Sequence, residues 1–194
     1  MKGCRPYSPG EFKKVVSSFQ GRFAQRNAAL FVLGTKTGFR ISELRSLRIV
    51  DIWEDGGFNR HITIRKAAMK GKGQSRTVVL HPAAKAIISS WLMEMKRRGW
   101  FCPDSYLFRS QMGDNRPITS SQAAKILKKN FRFNSMPGKL STHSMRKSFA
   151  KDLFVALDKD IYKLSRALGH KSITSTLHYL SFRQDEFDRA VLTL

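Results

Sequence analysis

Three observations on this sequence predict a mainly α fold carrying one small antiparallel β-sheet, an α+β class. Apolar residues recur at helical spacing in segments that open with capping residues. Only two short stretches alternate as strands do. Those two flank a single glycine- and lysine-rich tip and do not alternate with helices as a parallel sheet requires. At 194 residues and 41% apolar content, the chain is long enough to bury a core as one domain.

In SPGEFKKVVSSF, Ser8 caps, Pro9 occupies the first helical position and Glu11 completes a capping box, so a helix starts there. RFAQRNAALFVLGTKTG places Phe23, Leu30 and Phe31 at helical spacing and is expected to end near Gly34. ISELRSLRI begins a short helix after Gly38, with Arg40 at its entrance. HITIRK and RTVVLH read as paired strands around KAAMKGKGQS, whose two glycines and lysines mark a hairpin tip. PAAKAIISSWLMEMKRRG aligns Ile87, Ile88, Trp91, Leu92 and Met95 on one face and stops at Gly99, which makes it a core helix. Pro103, Gly113 and Pro117 break the next stretch into loop, after which SSQAAKILKKNF resumes as a basic helix. STHSMRKSFAKDLFVAL caps at Ser141 or Thr142, DIYKLSRALG closes at Gly169, and KSITSTLHYL starts a last helix at about Ser172, two turns before Tyr179.

Thirty-six Lys and Arg against 14 Asp and Glu leave a net charge of +22, a self-repelling excess that points to a polyanionic partner, with nucleic acid as the default. Cys4 and Cys102 stand far apart and in no metal-ligand spacing, which implies a reducing compartment and no structural metal. No apolar run approaches a membrane span, and MKGCRPYSPG lacks the apolar core of a signal peptide, so a cytoplasmic protein without a membrane partner is expected.

Individually, the candidate site residues carry little weight. His143 and Arg146 are three apart on a helix and share a face near its N-terminus, where an anion is favoured, yet that spacing is common on helix surfaces. Arg40 with Glu43 at i,i+3 reads as an ordinary helix ion pair, and a lone tyrosine such as Tyr179 is usually packed in a core. Their order is more specific. TGFRISELRSLRIVDI, a lysine-bearing hairpin, THSMR, and LGHKS with Tyr179 nine residues after His170 occur in one sequence. That succession resembles the tyrosine recombinases, the phage integrases and their relatives, over nearly the whole chain.

The resemblance implies the tyrosine recombinase catalytic-domain fold and a site-specific recombinase that cleaves and rejoins double-stranded DNA through a 3′-phosphotyrosyl intermediate. It matches Arg40, His143, Arg146 and His170 to the residues around the phosphate, Tyr179 to the nucleophile, and Glu43 to a supporting acid. A hairpin lysine is implied as general acid. Counting on from HITI favours Lys70, with Lys72 as the alternative and Lys66 falling earlier, on the strand. No metal and no cofactor are implied. The expected partner besides DNA is a second copy of the chain, in a tetramer or dimer of dimers on DNA, and accessory proteins are compatible with this. A bacterial, phage or plasmid-borne origin fits.

About ten residues precede the first helix, so the expected organisation is one catalytic domain over 1–194 without an N-terminal core-binding domain. Residues 182–194 form a tail that docks either on a neighbouring subunit or in cis. The competing functions are strand relaxation of the type IB topoisomerase kind and a non-catalytic DNA-binding regulator of the same fold. A covalent protein–DNA adduct separates enzyme from binder, and rejoining between two duplexes separates recombinase from topoisomerase.

Overall fold

The computed structural model describes residues 3–64, 75–170, 172–180 and 191–192. The chain is mainly helical, with short antiparallel strands between its third and fourth helices. It forms two compact units, residues 1–149 and 150–194.

In the first unit, α1 (Pro9–Ser17) opens with the expected capping box. The Ser8 hydroxyl accepts from Glu11 N–H, while the Glu11 carboxylate accepts from Ser8 N–H. Arg5 also donates to that carboxylate, and its charge and hydrogen bonds hold the Glu11 pKa down at about 2. Helix α2 (Ala24–Thr37) is the centre of this unit. Ala29 to Leu33 are all buried, the signature of a helix covered on every side. Phe31 lies at the hub of an aromatic group, with ring centroids of Tyr7 at 5.1 Å, Phe12 at 5.5 Å and Phe131 at 6.5 Å.

The helix does not end near Gly34. It runs on to Thr37, because Gly34 is a packing residue: a Cβ there would lie 2.6 Å from Met145 Sδ. The stop is Gly38, in the left-handed region at φ 62°, whose N–H bonds Gly34 C=O.

After α3 (Ile41–Ser46) and a 3₁₀ turn (Ile49–Asp51) come two separate strand pairs, where one sheet was expected. Strand β1 (Trp53–Glu54) pairs with β2 (Gly57–Phe58), and β3 (His61–Ile64) with β4 (Arg76–Val79), both antiparallel. The extra ribbon is only two residues deep, too short to show alternation in sequence. In the second pair Ile62 faces Val78 and Ile64 faces Arg76, so Arg76 shares the inward side of the ribbon with two buried isoleucines. The hairpin tip, with Lys66, Lys70 and Lys72, lies outside the described residues.

Helix α4 (Pro82–Arg97) buries Ile88, Trp91, Leu92 and Met95 as its apolar stripe predicts, and Trp91 Nε1 donates to Leu107 C=O at 2.7 Å. Helix α5 (Ser120–Phe133) is capped by Thr119. Helix α6 (Thr142–Ala156) has the Ser141 hydroxyl accepting from His143 N–H, and the division between the two units falls within it.

The second unit continues with α7 (Ile161–Leu168), capped by Asp160 and closed by Gly169 at φ 65°, and then α8 (Ile173–Leu180). Most of the tail over 182–194 lies outside the described residues; Val191 and Leu192 are exposed. Among the described residues no helix is long and apolar enough to cross a membrane.

Candidate active site

The turn Thr37–Arg40 carries the first group of site residues. Gly38 ends α2, Phe39 is buried, and Arg40 adopts extended backbone (φ −69°, ψ 155°) as the residue entering α3. Glu43, in the first turn of α3, accepts Arg40 N–H at 2.7 Å with one carboxylate oxygen and Arg40 Nη1 at 2.8 Å with the other. Its side chain is 1% exposed and that of Arg40 34%. Glu43 is therefore more than a surface ion pair. A buried carboxylate fixes both the backbone and the guanidinium of Arg40 and leaves part of the guanidinium open.

Arg146 lies on the first turns of α6 but does not reach the surface. It is 1% exposed, and Nη1 donates to Gly38 C=O at 2.7 Å. His143, one turn earlier, is exposed. Helical spacing anticipated a shared face for the pair; contact with the Gly38 turn divides it into a covered arginine and an open histidine.

Loss of water on its inner side lowers the His143 pKa, and the charges of Arg146, Arg40 and Lys147 lower it further. The imidazole is thus held neutral below the pH at which a free histidine would protonate. Arg40, His143 and Arg146, drawn from segments about a hundred residues apart, form one electrostatic cluster.

A third guanidinium completes the turn. Arg76, 6% exposed, donates Nη2 to Thr37 C=O at 2.6 Å and Nη1 to Gly38 C=O at 3.3 Å. It lies 5.1 Å from the Phe39 ring centroid and 5.8 Å from that of Phe149. Burial pushes its pKa down to about 9, with the charges of Arg146 and Arg40 acting the same way and Glu43 opposing them, so it remains charged at neutral pH. The reading of the sequence passed over Arg76. The signal was available in RTVVL, where period-two alternation places an arginine in phase with Val78 and Leu80.

His170 and Tyr179 belong to the second unit. Gly169 turns the chain out of α7, and His170 N–H bonds back to Ser165 C=O at 3.0 Å. The His170 ring pairs through Nδ1 with the Thr176 hydroxyl at 2.8 Å, and Thr176 is fully buried. Thr176 is a second residue the sequence reading missed, since one threonine in a polar helix carries no distinguishing pattern. Tyr179, part-buried on α8, has its ring centroid 5.1 Å from that of His170. Within this unit the expected nucleophile and the late histidine are neighbours.

The phage integrase family model matches residues 11–186. Tyrosine recombinase XerC of Caldanaerobacter subterraneus is 27% identical over 183 residues, covering 93% of this chain and 48% of the recombinase, so the chain spans about half the length of that relative. A probable integrase/recombinase of Bacillus subtilis, YoeC, is 27% identical over 161 residues, 83% of this chain and 80% of its own. Among solved structures, the XerH site-specific recombinase bound to palindromic difH substrate, a post-cleavage complex, superposes with a TM-score of 0.72 at 25% identity over 96% of this chain and 52% of that one. The catalytic domain of bacteriophage HP1 integrase shares the fold, with a TM-score of 0.58 at 15% identity over 97% and 94% of the two chains.

Proposed function

The chain belongs to the phage integrase family, and from that premise we propose that it is a tyrosine site-specific recombinase acting on double-stranded DNA. The observation that carries this is the gathering of Arg40, Arg146 and a neutral-leaning His143 about the Gly38 turn. A phosphodiester under attack gathers negative charge on its non-bridging oxygens, and permanently charged, forked donors stabilise that charge better than a lysine would.

In the proposed reaction the phenol oxygen of Tyr179 bonds to phosphorus while the bond from phosphorus to the 5′ oxygen breaks. The products are a 3′-phosphotyrosyl linkage and a free 5′ hydroxyl. His143 takes the phenolic proton, a role its lowered pKa suits, since only the neutral ring accepts. His170 adds a hydrogen bond to the phosphate. The departing 5′ oxygen takes its proton from the hairpin lysine, Lys70, or Lys72 as the alternative. The bond energy held in the phosphotyrosine permits rejoining to a second strand without a nucleotide. On DNA the recombinase works as a tetramer or dimer of dimers.

Incubation with a library of randomised nicked duplexes tests this. A covalent adduct, whose DNA-bearing peptide maps to Tyr179 and whose captured strands rejoin to a second duplex, is the expected result. Binding without adduct would reduce the protein to a regulator. Relaxation of supercoils without exchange between duplexes would move it to the topoisomerases. On a 5′-bridging phosphorothiolate, whose sulfur leaves without a proton donor, Lys70→Ala should cleave nearly as well as wild type, and rescue of Lys72→Ala instead would transfer the role.

A further inference from the structure

Arg76 has no part in the chemistry above, yet it is a charged side chain at a core position of β4, 6% exposed and opposite Ile64. Apolar groups of the same volume commonly replace buried charges at no loss of stability, so its guanidinium calls for a specific explanation. The contacts supply one. Its two terminal nitrogens fork onto the carbonyls of consecutive residues, Thr37 and Gly38, at 2.6 and 3.3 Å. These are carbonyls at the end of α2, where the helix has no donor of its own for them. The rings of Phe39 and Phe149 lie within 5.8 Å of the guanidinium carbon, and Phe149 leaves no room for a Cβ at Gly38. Arg40 follows two residues later, and Arg146 donates to the same Gly38 carbonyl.

We propose that Arg76 is a positioning residue for the two arginines that stabilise the phosphate in the transition state. By fixing the Thr37 and Gly38 carbonyls it sets the backbone from which Arg40 projects and the shared acceptor against which Arg146 rests. The assignment rests on the recombinase reading of this site. A lysine in its place reaches one carbonyl and cannot fork to both.

The test uses the full chain and a nicked duplex recovered as adduct from the randomised library. Arg76→Met should slow single-turnover adduct formation by about 100-fold, and Arg76→Lys by about 10-fold, because small misplacements of charge-stabilising groups cost rates of that order. The DNA concentration giving half-saturation should stay within about twofold, the pattern of an interaction felt in the transition state. In an Arg40→Lys background, Arg76→Met should cost less than about 10-fold, since much of what it positions is already gone. Equal losses in both backgrounds, or a loss that disappears below the melting transition, would make Arg76 a purely structural residue and overturn the proposal. If Arg76→Met does not fold, Arg76→Lys in the two backgrounds decides by the same criterion. A wild-type chain that yields no adduct would overturn the recombinase reading and this proposal together, whereas additive losses in an active enzyme overturn this proposal alone.

Discussion

The Gly38 turn and the His170–Tyr179 segment both carry residues of the proposed site, and they are built in opposite ways. Around Gly38, one carbonyl is shared by two buried guanidinia, a buried carboxylate grips Arg40 at two points, and two aromatic rings close over Arg76. Along α8 the described supports are the hydrogen bond between His170 and the buried Thr176 and the contact of the His170 and Tyr179 rings, on a helix eight residues long whose Leu177 is 46% exposed. Groups that stabilise developing charge work best when their geometry is set before the reaction, because any reorganisation adds to the barrier. A nucleophile has to be delivered and then stay bonded to DNA while strands exchange, and a helix of only about two turns has the lower intrinsic stability that suits this.

The contrast predicts that mutations in the two regions separate activity from stability. Tyr179→Phe should have the largest effect on activity, complete loss of the covalent adduct, with DNA binding and melting temperature near wild type, because it removes one hydroxyl from a part-exposed ring. An undiminished adduct would remove Tyr179 from the role, and a large fall in melting temperature would show α8 to be as deeply braced as the turn.

Arg146→Ala should slow adduct formation on the order of 10³-fold by removing a donor to the transition state. Unlike the tyrosine variant it should also destabilise. A lost charged hydrogen bond and the cavity left behind amount to roughly 3 kcal/mol or more, a fall of roughly 6–12 °C in melting temperature for a chain of this size. An unchanged melting temperature would contradict the burial of Arg146.

The two helix-ending glycines give a smaller and cleaner comparison. Gly38 and Gly169 both sit in the left-handed region, at φ 62° and 65°. Either one changed to Ala should cost about 1–2 kcal/mol for that backbone. At Gly38 the new Cβ also meets Phe149 Cδ1 at 2.3 Å, so Gly38→Ala should cost about 1–3 kcal/mol beyond that backbone strain, as overpacking does. A loss at Gly38 no larger than the backbone strain alone, measured by urea denaturation, would mean that the Phe149 ring gives way without cost.

The smallest effect concerns pH. His143 has its pKa lowered from the ordinary 6.5 by burial and by the neighbouring cations. Between the lowered value and 6.5 the unfolded chain binds more protons than the folded one, so stability falls as pH drops through that window, and His143→Asn should flatten the fall. The acidic limb of adduct formation should lie below pH 6.5 for the same reason, and Lys147→Gln, which removes one of the cations, should move it slightly upward. A limb at or above 6.5 would show that the cluster does not hold the ring neutral.

Much of this was legible before folding was considered. A capping box with proline at the first helical position placed α1, an apolar stripe placed α4, the breakers before SSQAAKILKKNF set off α5 and a terminal glycine closed α7, because each is a local pattern read within a few residues. The order of TGFR, HSMR, LGH and Tyr179 singled out Arg40, His143, Arg146, His170 and Tyr179 as candidates, since residue type and sequence order are properties of the chain itself. The tertiary structure alone decided that α2 passes through Gly34 to Gly38, because Gly34 serves a contact with Met145, and that Arg146 is covered while His143 is open. It also turned Glu43 from a helix ion pair into a buried two-point support and brought Arg76 to the end of α2. The bond from Arg76 to Thr37 spans 39 residues, and that from Arg146 to Gly38 spans 108. Alternation in RTVVL marks Arg76 as inward-facing, but nothing in the sequence around either guanidinium names its acceptor: that is a backbone carbonyl, present at every residue, and only packing selects which one a guanidinium meets.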